Sequence, residues 1–145
     1  MAYTVLKRTQ FKFVVDVDDV SNVLQFLNTN GILLLAINYA YNNEKCNVKI
    51  KIVIGSVSNT DYDNLWAFNL SKYFKDNDIP FNKRQVLVVF ANALSYELAL
   101  AQTYNALIDA GIHVRDLYTS RFDGFIYSVD CVDKAEEILL SINIF

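Results

Sequence analysis

The 145-residue chain is long enough for one compact domain or two very small ones. It is 53% hydrophobic with only 4 Gly and 1 Pro, so it can bury a good core and has little room for flexible linkers. A net charge of −3 argues against a protein that binds nucleic-acid backbones. The N-terminus carries no long apolar run, and the apolar segment 32–40 is too short to span a membrane. We therefore expect a soluble, cytoplasmic protein that binds neither nucleic acid nor membranes.

The chain begins with a predicted strand and an amphipathic helix. Residues 11–17 form an apolar, alternating run that predicts the strand. Asp18 or Asp19 is expected to cap the helix by accepting the free amide hydrogens of its first turn. Asn30-Gly31 is expected to end it, since glycine suits the left-handed stop. Four aliphatic residues share one face of this helix at i, i+3, i+4 and i+7: Val20, Val23, Leu24 and Leu27.

A hairpin and a second helix follow. Residues 32–41 and 48–54 predict the two paired strands. The second helix begins at Asp61 or Asp63 and fades at residues 76–78. We expect the next strand to lie near Phe81 or to merge with the strong strand at 85–91.

The same order then recurs in the second half of the chain. Ser95 is the candidate N-cap of a helix that Ala110-Gly111 ends, and residues 112–119 and 125–129 predict another hairpin. Asp133 and Glu136 are spaced as a capping pair for the last helix. Only Ile144-Phe145 is left to form a final strand.

The two helix stops align as LNTNGI (27–32) and LIDAGI (107–112). Neither copy is large enough to cover both faces of a sheet alone, so the copies should pack on each other. We predict an α+β fold of two ferredoxin-like βαββαβ units, residues 1–82 and 83–145.

The repeat resembles a tandem pair of ACT domains, ferredoxin-like modules that bind amino acids and regulate metabolic enzymes. The second copy carries the likeness, VLVVFANALSYELALAQTYNALIDAGIHVRDLYTSRFDGFIYSVDCVDKAEEIL, and FVVDVDDVSNVLQFLNTNGILLLAINYAY shows it in the first. The resemblance implies a non-catalytic, cofactor-free regulator. It would form a homodimer, bind an amino acid between the units and act on a separate protein partner.

The resemblance also indicates the residues that would contact the ligand, in the loop before each unit's first helix and after the stop of that helix. These are Asp16, Asp18, Asp19, Asn30, Gly31, Asn92, Ser95, Tyr96, Ala110, Gly111 and Ile112. The family's first loop usually holds a glycine, whereas residues 16–21 and 92–96 contain none. A side chain therefore stands where bare backbone usually approaches the ligand.

A phosphatase is an alternative hypothesis, because VVDVDDV contains the D-x-D pattern of aspartate-nucleophile phosphatases. Asp16 would be the nucleophile and Asp18 the acid/base, both would hold magnesium, and Thr119 or Ser120 would bind the phosphate. That chemistry also needs a downstream lysine and a further acidic pair, and only 24 residues remain after Arg121.

A protein-interaction module that keeps the fold without a ligand is the other alternative, and the loops without glycine favour it. No metal site is predicted, since Cys46 and Cys131 lack metal-ligand spacing. His113, the only histidine, follows Gly111 on a strand with no nucleophile motif nearby.

Overall fold

The computed structural model describes residues 3–92 and 95–142. Two compact units are present. The first unit is Arg8–Arg84, and the second unit is Met1–Lys7 with Gln85–Phe145. The strands and helices, in chain order, are β1 (Tyr3–Asp16), a 3₁₀ turn (Val17–Asp19), α1 (Val20–Thr29), β2 (Leu34–Asn42), β3 (Asn47–Ile54), α2 (Asp63–Asp76), β4 (Phe81–Ala91), α3 (Tyr96–Asp109), β5 (Val114–Thr119), β6 (Gly124–Val129) and α4 (Val132–Leu140).

The first unit has the strand order β2-β3-β1-β4, which is the ferredoxin-like βαββαβ arrangement. Its β1 and β3 pair antiparallel, with Phe13 opposite Ile50. Alternate residues of these strands face the helices, so Phe11 and Phe13 meet Phe74 of α2, and the Phe13 and Phe74 ring centroids are 4.6 Å apart. The predicted merging of the strand near Phe81 with residues 85–91 is confirmed by β4.

The second unit reaches the same arrangement with a strand from the other end of the chain. Its strands β4, β6 and β5 lie side by side, and Tyr3–Lys7 of β1 lies next to β4. Tyr3 is fully buried in the core of this unit, and its hydroxyl donates to Gln102 Oε1 at 2.6 Å. Both ferredoxin-like units predicted from the sequence are thus present.

The division of the chain differs from the expected units 1–82 and 83–145: the later boundary follows Arg84, and the start of the chain belongs to the second unit because β1 is longer than predicted. It begins at Tyr3 instead of residue 11, so its first residues fill the last strand position of the second unit. The segment expected to fill that position, Ile144-Phe145, lies outside the described residues. The longer strand is hard to predict because Lys7 and Arg8 interrupt the apolar pattern of the sequence.

The helix stops are confirmed in both units. Gly31 and Gly111 have φ angles of 64° and 76°, the left-handed region that glycine adopts without strain. The amide of Ile32 donates to the carbonyl of Leu27 at 2.9 Å, and that of Ile112 to the carbonyl of Leu107 at 3.0 Å.

Of the predicted caps, only Ser95 is confirmed: its hydroxyl accepts from the Leu98 amide at 3.2 Å. Asp19 precedes α1 but makes no side-chain cap bond, because the 3₁₀ turn gives it a helical backbone (φ −92°, ψ −9°) instead of the extended one that a cap requires. Asp18 lies within that turn. The capping pair predicted for α4 is wrong, because the helix begins at Val132 and Asp133 therefore lies inside it. Asp133 and Glu136 instead pair with Lys7 of β1.

Candidate functional site

An acidic depression of about 330 Å³ lies in the first unit where β1 ends and the 3₁₀ turn begins. Three carboxylates and two amides line it, from Asp16, Asp19, Asp78, Asn47 and Asn77. Its other lining residues are Val14, Val15, Ile79 and Pro80. The structure thus brings together two of the three aspartates predicted for this loop.

The fold explains why residues distant in sequence meet at the acidic depression. Asp16 is the last residue of β1 and is paired with Asn47, the first residue of β3. The stop of α2 supplies Asn77 and Asp78 from the opposite side of β1, because β4 follows that stop and lies next to β1. Asp78 takes a left-handed φ of 55°, and the Ile79 amide closes the stop by donating to the Phe74 carbonyl at 2.9 Å.

The charge of the acidic depression suits a cation that donates hydrogen bonds. Its lining includes no lysine, arginine or histidine, and Asp16, Asp19 and Asp78 are exposed. Ionised carboxylates form their strongest hydrogen bonds with charged donors such as ammonium groups. The Asn77 amide nitrogen already donates to the Tyr73 carbonyl at 2.8 Å. Within residues 3–92 and 95–142, no three His, Cys, Asp or Glu side chains form a group that could hold a metal ion.

The corresponding residues of the second unit are engaged in contacts of the fold. Asn92 Nδ2 donates to the Thr4 hydroxyl at 3.0 Å, and Ser95 caps α3. Tyr96 packs edge-on against Phe125, with ring centroids 5.5 Å apart, and partial burial raises the pKa of its hydroxyl.

The remaining predicted site residues are not among the residues that line the acidic depression. Asp18 is exposed on the 3₁₀ turn and does not line the depression. The Asn30 amide nitrogen donates to the Phe26 carbonyl at 2.8 Å, and Gly31 is exposed at the helix stop. In the second unit Ala110 is half-buried, Gly111 is exposed and Ile112 is buried in the core.

The residues of the phosphatase hypothesis divide between the two units. Asp16 and Asp18 belong to the first unit, whereas Thr119 and Ser120 belong to the second. The Ser120 hydroxyl donates to the Arg121 carbonyl at 2.9 Å. No observation in the described part of the chain favours this hypothesis.

The sequence did not point to Asn47, Asn77 and Asp78 as site residues. A ferredoxin-like order does predict that the end of the first strand lies beside the start of the third. The polar runs before β3 and β4, NNEKCN (42–47) and DNDIP (76–80), could therefore have been assigned to the same corner of the unit.

Comparison by sequence alone, with protein-family models and with curated proteins, gives no match. Comparison of the fold with solved structures does give matches. The regulatory subunit of aspartate kinase from Thermus thermophilus, in a ligand-free form, has a TM-score of 0.63 at 15% identity, over 97% of this chain and 95% of that one. The subunit from Thermus flavus has a TM-score of 0.60 at 13% identity, over 97% and 94%. A protein from Bacteroides thetaiotaomicron has a TM-score of 0.65 at 16% identity, over 94% and 88%.

The chain has the fold of tandem ACT units. The likeness covers nearly all of both chains in each of these comparisons, so it includes both ferredoxin-like units and strand β1, whose residues are divided between them. At such low identity it establishes the fold. Nowhere in the described ranges does a helix combine the length and apolarity that a membrane span requires.

Proposed function

We propose that this tandem ACT protein is a non-catalytic regulator that binds a free amino acid in the acidic depression of its first unit. It acts in the cytoplasm, as a homodimer, on a separate protein partner. The regulatory role is supported by the fold, since two of the matched structures are regulatory subunits of aspartate kinase. Ligand binding in such a protein shifts the population of its conformations, which is how the partner senses the ligand.

The observation that carries this proposal is the convergence of Asp16, Asp19 and Asp78 on one depression at the end of β1. This is the loop at which the resemblance places the ligand. Two carboxylates are enough to receive the α-ammonium group, and the Asn47 amide can donate to the α-carboxylate.

The excess of carboxylates favours an amino acid with a second positive charge. A neutral amino acid would leave at least one of the three carboxylates without a charged partner. Lysine or arginine would place its side-chain cation there, so we expect these two to bind more tightly than leucine or glutamate.

A thermal-shift screen with the twenty amino acids tests the proposal. A ligand present at a hundred times its dissociation constant stabilises the folded state by roughly 2.7 kcal/mol, which is visible as a raised melting temperature. Lysine or arginine should give the largest shift, and titration calorimetry should then give a saturable isotherm.

Variants of the three loop aspartates supply the matched control. D16N and D19N should each weaken binding about tenfold or more, because each removes a charged acceptor. D18N removes the same charge from an exposed position outside the acidic depression, so it should bind as the natural chain does. Equal losses in all three variants would contradict the proposed site, and no shift with any amino acid would favour the interaction module.

A further inference from the structure

A second depression, of about 420 Å³, runs along α2 in the first unit. Its residues recur at helical spacing on one face of α2, and β4 adds one lysine from the strand beside it. The lining consists of Asn64, Ala67, Phe68, Ser71, Lys72, Lys75, Asp76 and Lys83. It shares no residue with the acidic depression, and we call it the lysine depression.

The lysine depression is positive although the chain as a whole carries a net charge of −3. It has three lysines and one aspartate. Lys72 Nζ pairs with Asp76 Oδ2 at 2.9 Å, one helical turn away. Lys75 and Lys83 are exposed, and across residues 3–92 and 95–142 no hydrogen bond or ion pair engages the ammonium group of either side chain. Two ammonium groups are therefore available to an anion.

The base of the lysine depression contains a hydroxyl without a partner. Ser71 is only 7% exposed, and its Oγ makes no hydrogen bond to the described part of the chain. A serine inside a helix ordinarily satisfies its hydroxyl by donating to the carbonyl four residues earlier. A buried hydroxyl left unpaired destabilises the folded state, and an acceptor oxygen from a ligand would remove that cost.

One wall of the lysine depression is apolar. Phe68 is 66% exposed and stands next to Ala67, one turn before Ser71 and Lys72. An exposed phenylalanine ring offers a flat surface on which a planar group can stack. A volume of about 420 Å³ is within the range of small-molecule sites, roughly 300–1,000 Å³.

We propose that the lysine depression binds an organic polyphosphate of the nucleotide class. Its phosphates are held by Lys75, Lys83 and the Ser71 hydroxyl, and its base stacks on Phe68. Polyphosphate matches these groups because each of its oxygens accepts from ammonium and hydroxyl donors, and its charge exceeds that of a single carboxylate. The site would give the protein a second ligand, independent of the amino acid proposed above.

Titration calorimetry of the whole chain with ATP, and with tripolyphosphate as the analogue without a base, tests this site. ATP should bind with an affinity that falls as salt is added, and tripolyphosphate should bind several-fold more weakly. K75Q/K83Q should weaken ATP binding by about tenfold or more, because both available cations are removed. F68A should weaken ATP alone and bring it down to the affinity of tripolyphosphate.

K45Q/K49Q is the matched control, since it removes two exposed lysines from the β2–β3 hairpin of the same unit. It should bind ATP as the natural chain does. S71A should weaken ATP binding several-fold without lowering the melting temperature, because the hydroxyl that it removes has no partner in the fold.

The proposal is overturned if ATP does not bind, or if K45Q/K49Q loses as much affinity as K75Q/K83Q. The stacking role is overturned if F68A leaves the preference for ATP unchanged. Amino-acid binding measured on K75Q/K83Q separates the two sites. That variant should keep the amino-acid affinity of the natural chain whether or not it has lost ATP.

Discussion

The two units share one order of strands and helices but differ where the first strand of each unit meets its first helix. In the first unit this junction is a 3₁₀ turn with exposed aspartates and a depression beside it. In the second unit the described residues of the junction are held by the fold, since Ser95 caps α3, Asn92 bonds Thr4 and Tyr96 packs on Phe125. Two units with the same fold can thus differ in whether polar side chains at this junction are available to a ligand, and local side-chain contacts decide which case applies.

The two units also differ in the charge of a buried polar pair. In the first unit Arg8 is buried and donates to the Ser56 carbonyl, and Asp63 lies 4.0 Å from its Nε. In the second unit the pair is neutral, with Thr103 Oγ1 and the Tyr127 hydroxyl 2.9 Å apart. The buried pair of the first unit therefore contains a titratable carboxyl group, and that of the second unit does not.

The largest expected effect concerns the strand that completes the second unit. Y3A should lower the free energy of unfolding by about 3–5 kcal/mol, because it removes a fully buried aromatic side chain. Y3F removes only the hydroxyl that donates to Gln102 and should cost about 1 kcal/mol. Urea unfolding measures both variants. A Y3A protein as stable as the natural chain would show that Tyr3–Lys7 is dispensable to the second unit.

A smaller effect should separate the two helix starts. S95A should cost about 1 kcal/mol, since the Leu98 amide loses its acceptor. D19A truncates the side chain at the matching position of the first unit, and this side chain makes no cap bond. It should change stability by less than S95A does in the same urea titration. Equal costs would mean that Asp19 caps α1 in solution.

The smallest effect is a pH dependence from Asp63. Burial raises the pKa of this carboxyl, and the nearby Arg8 charge opposes the rise only in part. The folded state then takes up the proton at a higher pH than the unfolded state, whose aspartates titrate near pH 3.9. The free energy that Asp63 contributes to stability therefore becomes more favourable as the pH falls. The change begins above the raised pKa of the folded state and ends near pH 3.9, where the unfolded state also takes up the proton. Unfolding followed against pH should show this component in the natural chain, and D63N should lack it.

Much of the fold was predictable because the apolar periodicity indicates the helices and strands, and the two glycines mark where helices end. Leu27 and Leu107 are buried at equivalent points before Gly31 and Gly111, as the alignment of LNTNGI with LIDAGI predicted. The origin of the second unit's last strand was not predictable from local pattern. Lys7 and Arg8 interrupt the apolar run, and their partners, Asp133 and Ser56, lie far away in sequence.

The candidate site was predictable only in part, for a related reason. Asp16 and Asp19 stood out because they follow an apolar strand, whereas Asn47, Asn77 and Asp78 join them through strand order and the stop of α2. Sequence alone also gave no indication that Asn92 would be bonded to Thr4, since that contact depends on the position of β1.

The stoichiometry of amino-acid binding tests the central claim most directly. Calorimetric titration of the natural chain with lysine or arginine, whichever gives the larger thermal shift, should show one site per chain. D16N/D19N should abolish that binding, and N92A, at the closed junction of the second unit, should leave it intact. Two sites per chain, or a loss in N92A equal to that in D16N/D19N, would contradict the distinction between the units on which this account rests.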